Sequence, residues 1–426
     1  MTSKTNYKQT EIGEIPQTWE LVELRDVLSE KGYIRGPFGS ALRRPELKSE
    51  GIPVYEQQHA IYGVRDFRYY IDEEKFEELK RFQVKVNDLI ISCSGTLGKV
   101  SIITDEDPKG IISQALLALR PDTEKILPDY LKYFFTSRYG FTSITSRSTG
   151  SVQVNIANRQ IIELIKLALP SIHEQQIIIL ILSSLDDKIE LNRKMNNTLE
   201  EIGKALFKQW FVDFEFPDEN GRPYKSSGGK MVNSELGEIP EGWEAGHFGN
   251  VVENFDSKRI PLSNREREKR KGDFRYYGAT GVMDHVNDFI FDGIYLLVGE
   301  DGTVITNKET AVTQYVWGKF WVNNHAHVLK GKNGFSTEVL KLFLEVTNIA
   351  PYITGAVQPK LNQNNLNSIP VVLPKKEILA EFSGLIDLLF SKYRQTHDEI
   401  ERLTSIRDSL LPRLMSGKLR VRDYEN

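Results

Sequence analysis

"GEIPQTWE" (Gly13–Glu20) and "GEIPEGWE" (Gly237–Glu244) are one phrase written twice in a chain of 426 residues. The match extends upstream to Thr10 and Ser234, always at an offset of 224. Gly, Pro and Trp at matched places over eleven residues point to internal duplication, a signal that outranks others because it governs the architecture. More pairs follow. "STGSVQVNI" (Ser148–Ile156) is answered by "ITGAVQPKL" (Ile353–Leu361) at an offset of 205, and "ALP" (Ala168–Pro170) by "VLP" (Val372–Pro374) at 204. From Trp19 to Thr149 is 130 positions, but from Trp243 to Thr354 only 111, so the flanks repeat while the interiors differ.

Behind each copy runs a helix-period segment. In the first, apolar residues fall at Ile181, Leu185 and Ile189, then Met195, Leu199, Ile202 and Leu206. In the second they fall at Phe382, Leu385, Leu389 and Tyr393, then Ile400, Leu403, Ile406 and Leu410. Steps of three and four over many turns predict two long helices with narrow seams, paired as an antiparallel coiled coil. Ser171 with Glu174 reads as a capping box at the first start. Pro217 and "PDENGRPYKSSGGK" stop that helix, while the second is expected to kink at Pro412 and finish near Gly417.

The predicted fold is mixed α/β (α+β): two globular segments separated by two long helices, with a pseudo-twofold internal repeat. Expected boundaries are a flexible tail over 1–9, a first globular segment over 10–155 and the first helix with its linker over 156–233. The second globular segment then occupies 234–360 and the second helix 361–426. A length of 426 residues agrees with more than one core. The single cysteine, Cys93, leaves no intramolecular disulfide and fits a reducing cytoplasm. No secretory leader and no membrane span are expected, since no apolar run reaches the ~18–20 residues a span needs. The net charge of -4 gives no overall pull toward nucleic acid, so DNA binding must rest on local patches.

This organisation resembles the specificity subunit of Type I restriction–modification systems, over nearly the whole chain. The resemblance rests on the two "GEIP" phrases, on Leu169–Pro217 ("LPSIHEQQIIIL…FEFP") and on "LLPRLMSGKL" (Leu410–Leu419). "ISCSGTLGKVSII" (Ile91–Ile103) and "YLLVGEDGTV" (Tyr295–Val304) are similar to strand-turn phrases of the family. Pro170, Glu174 and Gln175 fit its helix-opening phrase, whereas "PKKEILAEF" lacks the Glu-Gln pair. The resemblance implies two target recognition domains, each reading half of a split, asymmetric site in double-stranded DNA. It implies helices that set the spacing and dock two methyltransferase subunits, and through them restriction subunits. S-adenosylmethionine would belong to the methyltransferase partner, ATP and Mg to the restriction partner, and no cofactor to this chain.

No catalytic residue and no metal site is expected. "SGTLGKV" has the wrong spacing for a phosphate loop, and no Asn/Asp-Pro-Pro-aromatic phrase offers a methyltransferase site. "DEEKFEELK", with Glu77, Glu78 and Lys80, reads as a solvated helix face. His325 and His327 would share a strand face, but no neighbouring ligand completes a site, and Cys93 reads as a buried small residue. The rival readings are an enzyme with a degenerate fused methyltransferase or nuclease site, and a protein-binding coiled-coil scaffold.

DNA contact needs cations for phosphates and amides or hydroxyls for base edges. Lys31–Lys48 has five basic residues against one acidic, and Ser257–Gly281 eight against three. Candidates in the first segment are Arg35, Ser40, Arg43, Arg44, Gln57, Gln58, Ser94, Thr96 and Lys99. In the second they are Lys258, Arg259, Arg265, Lys269, Arg270, Lys271, Arg275, Tyr276, Tyr277, Thr280 and Thr303. Candidates for the helix–helix or subunit interface are Ile181, Leu185, Ile189, Leu199, Ile202, Leu206, Leu385, Leu389, Tyr393, Leu403, Ile406 and Leu410.

Overall fold

A computed structural model describes residues 6–145, 156, 158–355 and 357–421. The chain divides into two compact units, Met1–Glu190 with Ile400–Asn426, and Leu191–Glu399. Most of the second repeat phrase, Ser148–Asn155, lies outside the described residues, as does Ala356 of its counterpart.

In the first unit Tyr7–Thr10 and Gly13–Pro16 form an antiparallel hairpin around the duplicated phrase. The flexible tail expected over 1–9 is therefore a paired strand from Tyr7 onward, with the Tyr7 hydroxyl donating to the Gly417 carbonyl. Trp19 is buried, and its indole N–H donates to Glu174 at 2.8 Å. Arg420 holds the other oxygen of that carboxylate at 3.0 Å. Glu174 thus faces the tryptophan rather than closing a reciprocal cap, although Ser171 Oγ does accept from the Glu174 N–H at 3.3 Å. Glu20–Glu23 pairs with Lys166–Leu169 and so joins the two ends of the globular segment. Between them lies a four-stranded antiparallel sheet in the order Leu28–Arg35, Leu116–Pro121, Leu89–Ser92, Val100–Ile102. A smaller sheet, Tyr70–Ile71, Ile52–Tyr55, Ile111–Ile112, carries its own core around Phe76 and Phe82.

The second unit repeats this plan. Met231–Ser234 and Gly237–Pro240 form the hairpin, and Glu244–His247 pairs with Pro370–Leu373. The central sheet runs Val252–Asn254, Ala326–Gly331, Tyr295–Gly299, Thr313–Val316, the same neighbour order as in the first unit. Helix Pro128–Thr136 of the first unit has its counterpart in Thr337–Val346. The interiors are therefore partly alike, and the difference is concentrated in an added sheet. Here that sheet has four strands rather than three, Val282–Val286, Lys271–Tyr277, Lys319–Val322 and Phe291–Asp292, and each of the two sheets holds one parallel pair. Trp243 has no counterpart of Glu174, because Ile378 stands at the matching helix position. It stacks on Phe216 instead, with ring centroids 4.9 Å apart.

The long helices span Ile172–Phe207, continued by a wider turn over Lys208–Val212, and Lys376–Met415, which runs through Pro412. Gly417 follows at φ +67°, as a helix-ending glycine should. Within the first unit Glu174 meets Arg420 and Asp186 meets Arg407, so the helices run antiparallel. Within the second, Asn192 meets Glu399 and Phe207 meets Phe382, in the same sense.

The buried face follows the expected stripe only in part. Ile189 is enclosed, but Ile202 and Leu385 are each 41% exposed and Ile406 42%. Ile181, Leu185, Leu199, Leu206, Leu389, Tyr393, Leu403 and Leu410 are half-buried. Buried positions outside the stripe include Ile178, Leu182, Ile386, Phe390 and Leu414, together with the polar Gln175, Asn192, Asn196 and Thr396; Phe382 of the stripe is buried as well. An apolar scan passes over a seam whose middle is made of asparagine and threonine.

Candidate nucleic-acid interface

In the first unit one short segment, Ser113–Leu116, touches three of the candidate stretches. Gly36 packs on it so closely that a Cβ would lie 1.9 Å from the Ser113 carbonyl oxygen, which only glycine avoids. The Cys93 N–H donates to the Ala115 carbonyl at 2.9 Å, and the Ser113 N–H to Tyr55, just ahead of the helix Gln57–Tyr62. The loop after Arg35, the turn after Cys93 and that helix are thereby gathered together. The turn is held from inside by Ser92, whose hydroxyl donates to the Thr96 carbonyl at 2.6 Å and accepts from the Lys99 N–H at 3.0 Å. Sequence reasoning missed Ser92 because its role is to shape the loop.

Of the candidates here, Arg43, Arg44, Thr96 and Lys99 are exposed; none of the three cations forms a close ion pair among the described residues, though the charge of Arg43 helps hold the Glu46 carboxyl down. Ser94 is half-buried and already engaged. The side chain of Ser40 lies outside what the structure describes. Arg35 is half-buried, with its guanidinium 5.7 Å from the Phe38 ring. Gln58 is committed, its amide donating to the Asp66 carbonyl at 2.9 Å, and Gln57 is half-buried with its carbonyl oxygen enclosed. Pairing of both glutamines with adenine would first require those positions to open. Phe38 and Tyr62, at 60% and 75% exposed, were not among the candidates and stand out beside them. Cys93 is buried, and burial pushes its thiol up to about 11, so it is inert.

In the second unit the helix Asn264–Lys269 is capped by Ser263, which accepts from Glu266 N–H while Glu266 accepts from Ser263 N–H. It presents Arg265 and Lys269, followed by Arg270, all exposed and in no close ion pair among the described residues, though the charges of Arg270 and Lys269 help hold the Glu266 carboxyl down. Arg270 lies 5.8 Å from the Trp321 ring, and Lys258, also exposed, 5.0 Å from that of Phe255. Lys271 is tied to Asp284 at 2.9 Å and to Glu268 at 3.1 Å. The Lys271 bond, then the His285 N–H and Arg267, hold the Asp284 carboxyl down at about 2. Arg275 is half-buried and engaged.

Two candidates are corrected outright. Tyr276 is 1% exposed, its hydroxyl accepting from the Leu262 N–H, and Tyr277 lies in the core against Phe320. Both belong to a strand covered on two sides, so neither ring can reach a duplex. The turn they lead into is braced from below, where Gln314 donates to the Gly278 and Ala279 carbonyls at 2.9 and 3.0 Å. Thr280 is exposed at its tip, flanked by Val282 and Met283. Thr303 is exposed next to Gly302, at φ +82°.

Arg259 is also withdrawn from the surface. It bonds Glu300 at 2.6 Å and the Ala326 carbonyl at 2.7 Å, inside a cluster with Asp256 and His327. Asp256, Glu300 and His327 come close enough to hold a cation, but the guanidinium occupies that role. His327 Nδ1 lies 2.5 Å from Asp256 and Nε2 2.7 Å from the Leu361 carbonyl. With acceptors on both ring nitrogens, the imidazole must carry two protons. Burial pulls its pKa down, but the Asp256 hydrogen bond and charge outweigh this and leave it above the ordinary value. His325 does not share a strand face with it; it precedes the strand and pairs with Asp301 at 2.6 Å.

The family model of the Type I restriction modification DNA specificity domain matches residues 16–201 and again 240–402. The chain belongs to that family, and the double match is the duplication seen in the two units. It is 27% identical, over 99% of its length and 98% of the relative's, to the Type I restriction enzyme MjaIX specificity subunit of Methanocaldococcus jannaschii. It is 28% identical to the MjaVIII specificity subunit of the same organism, with 98% and 97% covered. Among solved structures, the S subunit of a Type I restriction–modification system from M. genitalium shares its fold, with a TM-score of 0.58 at 16% identity, covering 93% of this chain and 96% of that one. Among the described residues no helix is long and apolar enough to cross a membrane.

Proposed function

We propose that this chain is the DNA-specificity subunit of a Type I restriction–modification complex, each unit binding one half of a split, asymmetric target. The observation that carries the reading is one frame built twice with different added sheets, each unit bearing exposed cations outside close ion pairs among the described residues: Arg43, Arg44 and Lys99 in one, Arg265, Lys269 and Arg270 in the other. Equal frames suit equal partners, and unequal sheets suit unequal half-sites. The chain recognises and does not catalyse. Methyl transfer from S-adenosylmethionine falls to two methyltransferase subunits held on the helices, and ATP- and Mg-dependent cleavage to restriction subunits. The exposed Ile202, Leu385 and Ile406 support helices that receive other proteins.

The test is to coexpress the chain with its methyltransferase subunit and map methyladenine across a genome. One split motif is expected, modified on both strands. Exchanging residues 20–147 for those of a relative should replace one half-site and leave the other intact. A change in both halves would sink the modular reading.

A further inference from the structure

Each unit contains an apolar cavity of about 140 Å³, and the internal repeat makes the two cavities copies of each other. Ile12 and Leu236 come from the matched hairpins, Phe134 and Phe343 from the matched helices Pro128–Thr136 and Thr337–Val346. Ala168 and Val372 come from the strands that close each globular segment, and Met415 and Phe211 from the ends of the long helices, both pairs at the offset of 204. Only the phenylalanine is kept, yet both members of each of these four pairs are apolar.

Packing within the fold does not account for such spaces. Both are partly open to solvent, so their apolar walls stay wet unless something covers them, which costs about 25 cal/mol for each Å² left exposed. These cavities also lie between exposed apolar residues: Tyr139 is 44% exposed at the first, Val212 50% and Val346 37% at the second. A cavity of ~150 Å³ holds a benzene ring, so each would take one bulky side chain. Interfaces place their strongest anchors in such pockets.

The duplication identifies the occupant. The added sheets of the two units have diverged, and even the cavity margins differ, with Glu14 and Arg138 at the first and no charged residue lining the second. The sockets belong to the frame that the two units share, and a shared frame suits partners that are identical at both. We propose that the cavities are paired sockets, each receiving one large apolar side chain (Leu, Met or Phe) from one of two identical methyltransferase subunits. This rests on the reading of the chain as a specificity subunit.

Val212 and Ser416 occupy equivalent places at the two sockets, again 204 residues apart. Val212→Trp and Ser416→Trp should each plug one. The full chain would be mixed with its methyltransferase subunit and the copies bound counted by native mass spectrometry. Wild type should bind two; each plugged chain should bind one copy normally and the other roughly tenfold or more weakly, as for removal of an interface anchor. The double variant should bind neither. Ile12→Lys and Leu236→Lys should reproduce the pattern, with unfolding midpoints showing that every variant is folded. Two copies bound at wild-type affinity by folded, plugged chains would overturn the sockets and leave the functional reading standing. A wild-type chain that binds no methyltransferase subunit would overturn both.

Discussion

His327 is the residue whose chemistry is most constrained by its surroundings, since both ring nitrogens must donate, to Asp256 and to Leu361. Its pKa is raised above the unfolded value of about 6.5. Folding is therefore favoured fully below pH ~6.5, and this contribution is lost as the pH rises through the raised pKa. The thermal midpoint of the second unit should fall as the pH is raised from about 6.5 toward 9. His327→Gln should unfold earlier at pH 6, by about 3 kcal/mol for a broken buried pair, and should lack that decline. A wild-type midpoint flat across this range would contradict the doubly protonated ring. The two tryptophans of the duplicated phrase make a second test. Trp19→Phe takes a donor from the buried Glu174 and should cost about 1–3 kcal/mol in denaturant unfolding. Trp243→Phe, which keeps an aromatic ring against Phe216 and breaks no carboxylate bond, should cost less.

At the scale of elements, helix lengths and ends were legible because period, proline and glycine report on a single element. The seam was not legible, because its middle is Asn192, Asn196 and Thr396, while three apolar positions of the expected stripe face outward. Polar seam residues specify register at some cost in stability. The side-chain oxygen of Asn196 is buried with no hydrogen bond, so Asn196→Leu should raise the unfolding free energy by about 1 kcal/mol, read as a higher denaturant midpoint at unchanged slope. No gain would mean that the oxygen is satisfied in solution. The shared central sheet was hidden for a related reason. Its strand order repeats although "ISCSGTLGKV" and "VGEDGTVITN" share little beyond a glycine turn, because strands covered on both faces ask only for a short apolar run. Tyr276 and Tyr277 were misread for the opposite reason. Aromatic residues beside a basic run look like a stacking surface, but here the strand is covered on both faces and their rings are core. Basic stretches could be found as regions, whereas the commitment of Arg259, Lys271 and Gln58 to internal partners depends on residues distant in sequence.

For the whole chain, the charge problem is one of distribution. A net charge of -4 gives no general attraction to a polyanion, so binding must come from cations that the fold leaves unpaired. In the second unit Arg265, Lys269 and Arg270 meet that condition, carried on or just beyond a six-residue helix rather than on the braced turn at Thr280. On the proposed function, that placement suits contact with phosphates and leaves base reading to other groups. Replacing all three with serine in the assembled complex should weaken DNA binding by a similar factor on cognate and non-cognate duplexes. The dependence of log affinity on log salt should flatten by roughly 0.9 for each phosphate no longer neutralised, and so by up to ~2.7. The methylated motif should keep its sequence while the extent of modification falls. If the salt slope held steady and the second half-site changed its bases, these residues would be reading sequence, and the division between positioning helix and reading turn would have to be reversed.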